Sequence, residues 1–202
     1  DARTGVFTSG IVVTRDAHHI ALFFTGRQHA GENLADVLAQ RAAALPPPIQ
    51  MCDALAANTA GDFDTLLASC LAHARRRFVD VVDTFPAEVR HVLDTLREVY
   101  RTEALARERA LPPEERLRLH QTASGPLMAA LETWLRQQLD DHLVEPNSGL
   151  CTAIAYMLKH WTKLTLFLRV PGAPLDNNVC ERALKKAILH RKNALFYKTL
   201  AG

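Results

Sequence analysis

The chain has 202 residues, 48% of them hydrophobic and only 6% aromatic, enough to bury the core of one domain or of a domain with a large insertion. Lysine and arginine number 24 against 22 for aspartate and glutamate, so overall charge discriminates little and its distribution carries the signal. Four scattered cysteines without a C-x-x-C pair exclude a disulfide framework and a zinc knuckle. No apolar run reaches the roughly 18 residues of a membrane helix, and the opening DARTGVFTSG is not a signal peptide.

Residues 6–14 are rich in β-branched side chains, residues 20–25 form a second apolar run, and residues 15–18 between them predict a hairpin connection. Leu34, Val37, Leu38 and Ala42 then recur at helical spacing over 32–45, stopped by Pro46-Pro47-Pro48. A short apolar strand at 49–52 ends on Asp53. A brief helix over 63–68 and a last short strand at 69–72 complete the order strand, strand, helix, strand, helix, strand. From 75 to about 143 long amphipathic helices take over, with stripes at Val89, Val92, Leu93, Leu96 and Tyr100 and again at Leu127, Leu131, Trp134, Leu135 and Leu139. Breaks fall at Pro86, Pro112-Pro113 and Gly125-Pro126. One further helix is expected over 150–168, and the turn at 171–174 leads into a final helix.

Three places can carry chemistry. Asp53 leaves a buried strand at a sheet edge, where metal sites of α/β layers form; it also suits a turn or the cap of the next helix. Cys70 and His73 are three residues apart at a strand end, too few for a zinc site and compatible with packing or hydrogen bonding. The following Arg75-Arg76-Arg77 suits phosphate contact or a solvated helix face. His29, in the loop at 26–31, is a weaker candidate for lying near a nucleic acid.

Residues 174–193, PLDNNVCERALKKAILHRKN, are the most informative. Glu181 opens a helix, and no acid follows Arg182, while Lys185, Lys186, Arg191, Lys192 and Lys198 do. A lone carboxylate ahead of a basic run suits a group that holds a divalent metal against a phosphate backbone. The competing explanation is local: Asn178-x-x-Glu181 fits a capping box, with Asp176 as another candidate cap. Against it, Asn177 and Glu181 are four apart and share a helix face. A GxxxxGK[ST] phosphate loop and serine or cysteine hydrolase signatures are absent, which excludes the common ATPase and acyl-transfer classes.

These motifs resemble the insertion-sequence-66 family of DDE transposases along nearly the whole chain. Residues 49–53 look like the family's second-aspartate strand, and Cys70-Leu-Ala-His73-Ala-Arg75-Arg76 like its C-x-x-H-x-R-R block. Pro174-Leu-Asp176-Asn177-Asn178 through Glu181-Arg182 resembles P-[IL]-D-N-N-x-x-E-R, and the stretch at 190–196 resembles R-K-N-x-L-F. Arg116, Pro126, Leu127, Trp134, Tyr156 and Trp161 fall where the family's helical insertion has similar residues. The D-[ED]-T-like strand carrying the family's first aspartate is missing, so the chain is expected to be a fragment, inactive alone.

The resemblance implies an α/β fold: a ribonuclease-H-like core, its first strand missing, interrupted by a large all-helical insertion. The implied division is core at 1–78, insertion at 79–170, and final catalytic helix with basic tail at 171–202. It implies metal-dependent cleavage and strand transfer at DNA ends, with Asp53 and Glu181 as catalytic metal ligands for Mg²⁺ or Mn²⁺. Two such ions about 3.5–4 Å apart activate the attacking oxygen and stabilise the leaving one. Arg75, Arg76, Arg77, Arg182, Lys185, Arg191 and Lys192 are then the expected DNA contacts. Cys70, His73, Asp176, Asn177 and Asn178 are expected to support the site. The implied partners are insertion-sequence terminal repeats, target DNA and further copies of the chain, in a bacterial cytoplasm at the nucleoid. The alternative is a catalytically inactive, truncated DNA-binding or assembly protein with the same fold.

Overall fold

A computed structural model describes residues 7–15, 18–42 and 44–193, the side chains of 56, 186–188 and 190–193 excepted. The fold is mixed α/β and divides into two compact units, residues 1–66 with 177–202 and residues 67–176.

In the first unit, β1 (Phe7–Arg15) and β2 (His18–Gly26) form an antiparallel hairpin, paired from Phe7 opposite Gly26 to Arg15 opposite His18. Their β-branched and aromatic residues suit a pleated surface. Helix α1 (Ala30–Ala39) starts on a capping box, in which the His29 backbone N–H donates to the Glu32 carboxylate at 2.7 Å. His29 also lies against the Phe7 ring, with centroids 4.5 Å apart. The helix ends at Ala39, earlier than its periodicity predicts. Residues preceding proline avoid helical backbone, and here the Arg41 guanidinium donates to the carbonyls of Leu45 and Pro46 at 3.2 and 2.6 Å.

Strand β3 (Ile49–Cys52) joins β4 (Leu66–Ser69) in a second two-stranded sheet, opened by the Leu66 N–H donating to the Pro48 carbonyl at 2.9 Å. The division between the units falls inside β4. The helix expected over 63–68 does not form, and the strand expected at 69–72 lies three residues earlier. Gly61 at φ 64° stands in the left-handed region, which breaks a helix before it can begin, and the apolar run at 66–69 is extended instead. Among the described residues the strands make two separate pairs, not one sheet.

The last helix, α8 (Asn178–Asn193), packs on β1. The Cys180 thiol donates to the Gly10 carbonyl at 3.2 Å, and Leu184, one turn on, lies over Gly10. These contacts fix which face of α8 points outward.

The second unit is helical: α2 (Leu71–Val79), α3 (Pro86–Glu108), α4 (Pro113–Ala123), α5 (Gly125–Asp140), α6 (Gly149–Lys159) and α7 (Trp161–Leu164). Helices α3, α4 and α5 each carry proline in the first turn, where its missing N–H costs nothing. Val89, Val92 and Leu96 from α3, Leu131 and Leu135 from α5 and Ile154 from α6 are buried, each contributing about 1.5–3 kcal/mol through removal from water. The single helix expected over 150–168 is broken at His160 and Thr165, and a 3₁₀ turn covers Leu166–Leu168. The Thr165 hydroxyl donates to the Trp161 carbonyl at 2.8 Å, a local bond that competes with helix continuation.

A polar network crosses this core. Glu103 accepts from Arg107 Nε at 2.8 Å and from Arg116 Nε at 2.7 Å, and its second oxygen also meets His120 Nε2 at 3.0 Å. His120 Nδ1 is 3.0 Å from the Ser124 hydroxyl. Burial would raise the Glu103 pKa, but His120, Arg116 and Arg107 outweigh it and hold it at about 2. No helix among the described residues is long and apolar enough to cross a membrane.

Candidate functional site

Asp53 follows β3 directly, half-buried. Its Oδ1 accepts a hydrogen bond from the Asn58 carboxamide, which the sequence reading did not anticipate. Asn58 is itself held, because its carbonyl accepts from Gln50 Nε2 at 2.6 Å and Thr65 Oγ1 donates to Gln50 Oε1 at 3.3 Å. The 3₁₀ turn Ala56–Asn58 sits under α1, and Gly31 makes that approach possible. A Cβ on Gly31 would collide with the Thr59 carbonyl oxygen and lie 2.8 Å from that of Ala57. The Asp53 carboxylate is therefore presented at the strand end by a chain of contacts running back to α1. Among the described residues Asp53 belongs to no group of three His, Cys, Asp or Glu side chains close enough to share an ion.

Glu181 lies in the first turn of α8 and is exposed. The helix begins at Asn178, and the Glu181 N–H donates to the Asn177 carbonyl at 3.0 Å. This pairing makes Asn177 the residue ahead of the first turn and sets Glu181 one position beyond that of a capping-box glutamate, so the Asn178 capping box does not fit. Arg182 and Lys185 are exposed as well. Cys180 and Leu184 take the face against β1, leaving the adjacent Glu181–Lys185 column outward. The Cys180 thiol is pushed up in pKa, chiefly by burial, with the Glu181 charge adding to it and a Val12 backbone hydrogen bond opposing. The side chains of Arg191 and Lys192, and the stretch from 194 onward, lie outside the described residues.

In the helical unit Cys70 is the buried residue ahead of α2, and His73 is half-buried in its first turn. The segment leading to Asp176 is tied to the same place. The Leu71 N–H donates to the Leu175 carbonyl at 3.0 Å, and Arg116 Nη1 donates to the Ala173 carbonyl at 2.9 Å. Burial, then the Asp176 carboxylate and the nearby Cys70 sulfur, push the Tyr100 hydroxyl pKa far up, while Arg75 acts in the opposite direction. Cys70, Tyr100, Arg75 and Asp176 thus share one neighbourhood, in which Tyr100 was recognised from sequence only as part of a core stripe. All four cysteines are thiols.

The three arginines of α2 are all exposed and point apart. Arg75 acts on Tyr100. The Arg77 guanidinium instead lies over the Tyr156 ring, 3.8 Å from its centroid. Helical geometry demands this, since residues two apart are separated by roughly 200° around the axis.

The chain matches a family described as Transposase IS66 family over residues 10–202. It is 39% identical over 137 residues to an uncharacterized protein of Sinorhizobium fredii, y4jD, a match covering 67% of this chain and 26% of that protein. A second uncharacterized protein of the same organism, y4hP, is 32% identical over 151 residues, again 67% of this chain and 26% of the relative. The chain therefore spans about a quarter of the length of these relatives. No solved structure matches it. With its matched region running from β1 through α8 and beyond, the chain belongs to the IS66 family of transposases.

Proposed function

We propose that this chain is the central catalytic region of a metal-dependent DNA transposase with a ribonuclease-H-like core. The observation that carries the reading is the pair of oxygen ligands in the first unit. Asp53 is oriented at a strand end by Asn58, and Glu181 stands exposed on the opening turn of α8. Both offer hard carboxylate oxygens, which Mg²⁺ and Mn²⁺ prefer, and Asp53 keeps lone pairs beyond the one Asn58 uses. An upstream aspartate would complete the set. Bound metal would supply an activated oxygen nucleophile and stabilisation of the departing oxygen.

The strand pairs support this reading. Two-stranded sheets are marginal alone, and a further strand paired to either of them would stabilise it. An upstream strand bearing the first aspartate is such a strand. Within this scheme Asp53 and Glu181 hold the metals, Arg182 and Lys185 steady the phosphates next to Glu181, and the Asn58–Asp53 bond fixes ligand direction. Cys70 and His73 support the Pro174–Asp176 segment, which the Leu71 N–H holds through the Leu175 carbonyl. Terminal repeats and target DNA are the substrates, and two or more copies are needed to bring two DNA ends together in the cytoplasm.

The test uses the protein extended upstream, a labelled duplex carrying the element's terminal repeat, and Mg²⁺ or Mn²⁺. Nicking at the 3′ end and joined products are expected, both lost in Glu181→Gln with the fold retained. DNA binding without cleavage by the unaltered protein would instead support an inactive binding or assembly protein.

A further inference from the structure

The Arg77–Tyr156 contact belongs to a larger surface. On α6, Tyr156 also packs against His160, with ring centroids 4.6 Å apart and planes tilted by 55°. Lys163 donates its backbone N–H to the His160 carbonyl at 3.0 Å, and Lys159 directly precedes His160. Lys159, Lys163 and Arg77 are exposed, while the two rings beneath them are half-buried. Burial first, then Lys159, Lys163 and Arg77, lower the His160 pKa, which places all three cations around that ring. Carboxylates are lacking nearby in sequence: none lies between Glu145 and Asp176, and α2 has none, the first after Arg77 being Asp80 beyond the helix end.

We propose that the Arg77–Tyr156–His160 stack, flanked by Lys159 and Lys163, is a binding surface for the phosphate backbone of duplex DNA. It rests on the DNA-processing reading and adds a second contact, on the helical unit, to the one expected beside Glu181. Cations without an ion-pair partner among the described residues suit a polyanion, because binding releases the counterions condensed on it. The ring geometry selects the partner. One face of Tyr156 is covered by the Arg77 guanidinium, with His160 packed against the ring at a tilt, so that face is closed to an unpaired base. What it does instead is hold the guanidinium plane in a fixed direction, pre-ordered for a phosphate.

The experiment titrates the full chain with a fluorescently labelled duplex of arbitrary sequence over a range of NaCl concentrations. The Lys159→Gln/Lys163→Gln variant is compared with Arg136→Gln, whose arginine is paired with Glu132 on α5. The slope of log affinity against log salt is expected to fall by about 2 in the double variant, roughly one per phosphate contact, and to stay unchanged in the control. Arg77→Gln should lower it by about one more. An unchanged slope in folded double variant, or preference for single strands that Tyr156→Leu abolishes, would overturn the proposal. The cleavage reading is scored separately, on the upstream-extended protein: nicking there with an unchanged slope sinks only this surface, and a lowered slope without nicking there sinks only the catalysis.

Discussion

Asn58 donates its carboxamide to the Asp53 carboxylate, and that bond links a strand-end acid to helix α1 through the turn at Ala56–Asn58. A ligand carboxylate that is free to rotate spends much of its time pointing away from the ion. Removing the partner that aims it typically costs about 10–100-fold in metal affinity or activity. Asn58→Ala in the upstream-extended protein is therefore expected to raise the Mg²⁺ concentration needed for half-maximal nicking by about tenfold or more. Its thermal midpoint should move only slightly. An unchanged metal requirement would remove Asn58 from the site.

Gly31 and Gly10 should respond oppositely to the same substitution. Replacing a helical glycine by alanine ordinarily stabilises by about 0.5–1 kcal/mol. At Gly31 the added methyl meets the Thr59 and Ala57 carbonyls, backbone atoms that cannot swing aside. Gly31→Ala is expected to destabilise the first unit by about 1–3 kcal/mol and to disturb the Asn58–Asp53 bond. A Cβ on Gly10 meets Leu184 Cδ1 at 3.4 Å, ordinary contact with a flexible side chain. Gly10→Ala should leave stability equal or slightly higher. Urea unfolding of both variants decides the matter, and similar effects at both positions would refute the packing argument.

Several of these features were legible in the sequence and others could not have been. Proline and glycine punctuation marked the starts of α3, α4 and α5, because a missing N–H or a flexible backbone acts locally. The hairpin followed from β-branched runs, and β3 ended where Asp53 said it should. The segment at 63–69 misled because a four-residue apolar run has no period by which to tell helix from strand. Gly61 was the signal that could have settled it. Asn58 and Tyr100 were missed for another reason: their partners are Asp53, reached through a turn, and Asp176, distant in sequence. The opposed directions of Arg75 and Arg77 were legible all along, once helical spacing was applied to the triplet instead of its summed charge. His160 and Thr165 broke the expected long helix with no proline or glycine at either position to mark the break.

Glu103 makes the helical unit acid-sensitive in a defined window. Its pKa falls from the usual 4.5 to about 2 in the folded chain. A depressed carboxylate contributes stability that is present above 4.5 and is lost as pH falls through 2. The unit should therefore weaken progressively across that interval. Glu103→Gln removes the charge but leaves Arg116 and His120 without their anion, a change expected to cost about 3 kcal/mol at neutral pH. The variant should also show a flatter stability profile between pH 4.5 and 2. Far-UV circular dichroism during denaturant titration at several pH values measures both effects. A variant that keeps the full acid dependence would assign it to other carboxylates.

Cys180 offers a way to watch α8 dock on β1. Its thiol is half-buried, donates to the Gly10 carbonyl, and has its pKa raised mainly by burial. Thiolate is the reactive form, so both lowered ionisation and restricted access slow alkylation. Iodoacetamide should label Cys180 about tenfold or more slowly than a small exposed thiol at the same pH. Leu184 covers Gly10 one turn further along the same face. Leu184→Ala removes that cover, and labelling of Cys180 should accelerate several-fold while Cys52 and Cys151 keep their rates. Mass spectrometry of the alkylated peptides separates the three sites. If Cys180 reacts as fast as an exposed thiol in the unaltered protein, α8 does not stay on the hairpin, and Glu181 loses the fixed direction on which its assignment as a metal ligand depends.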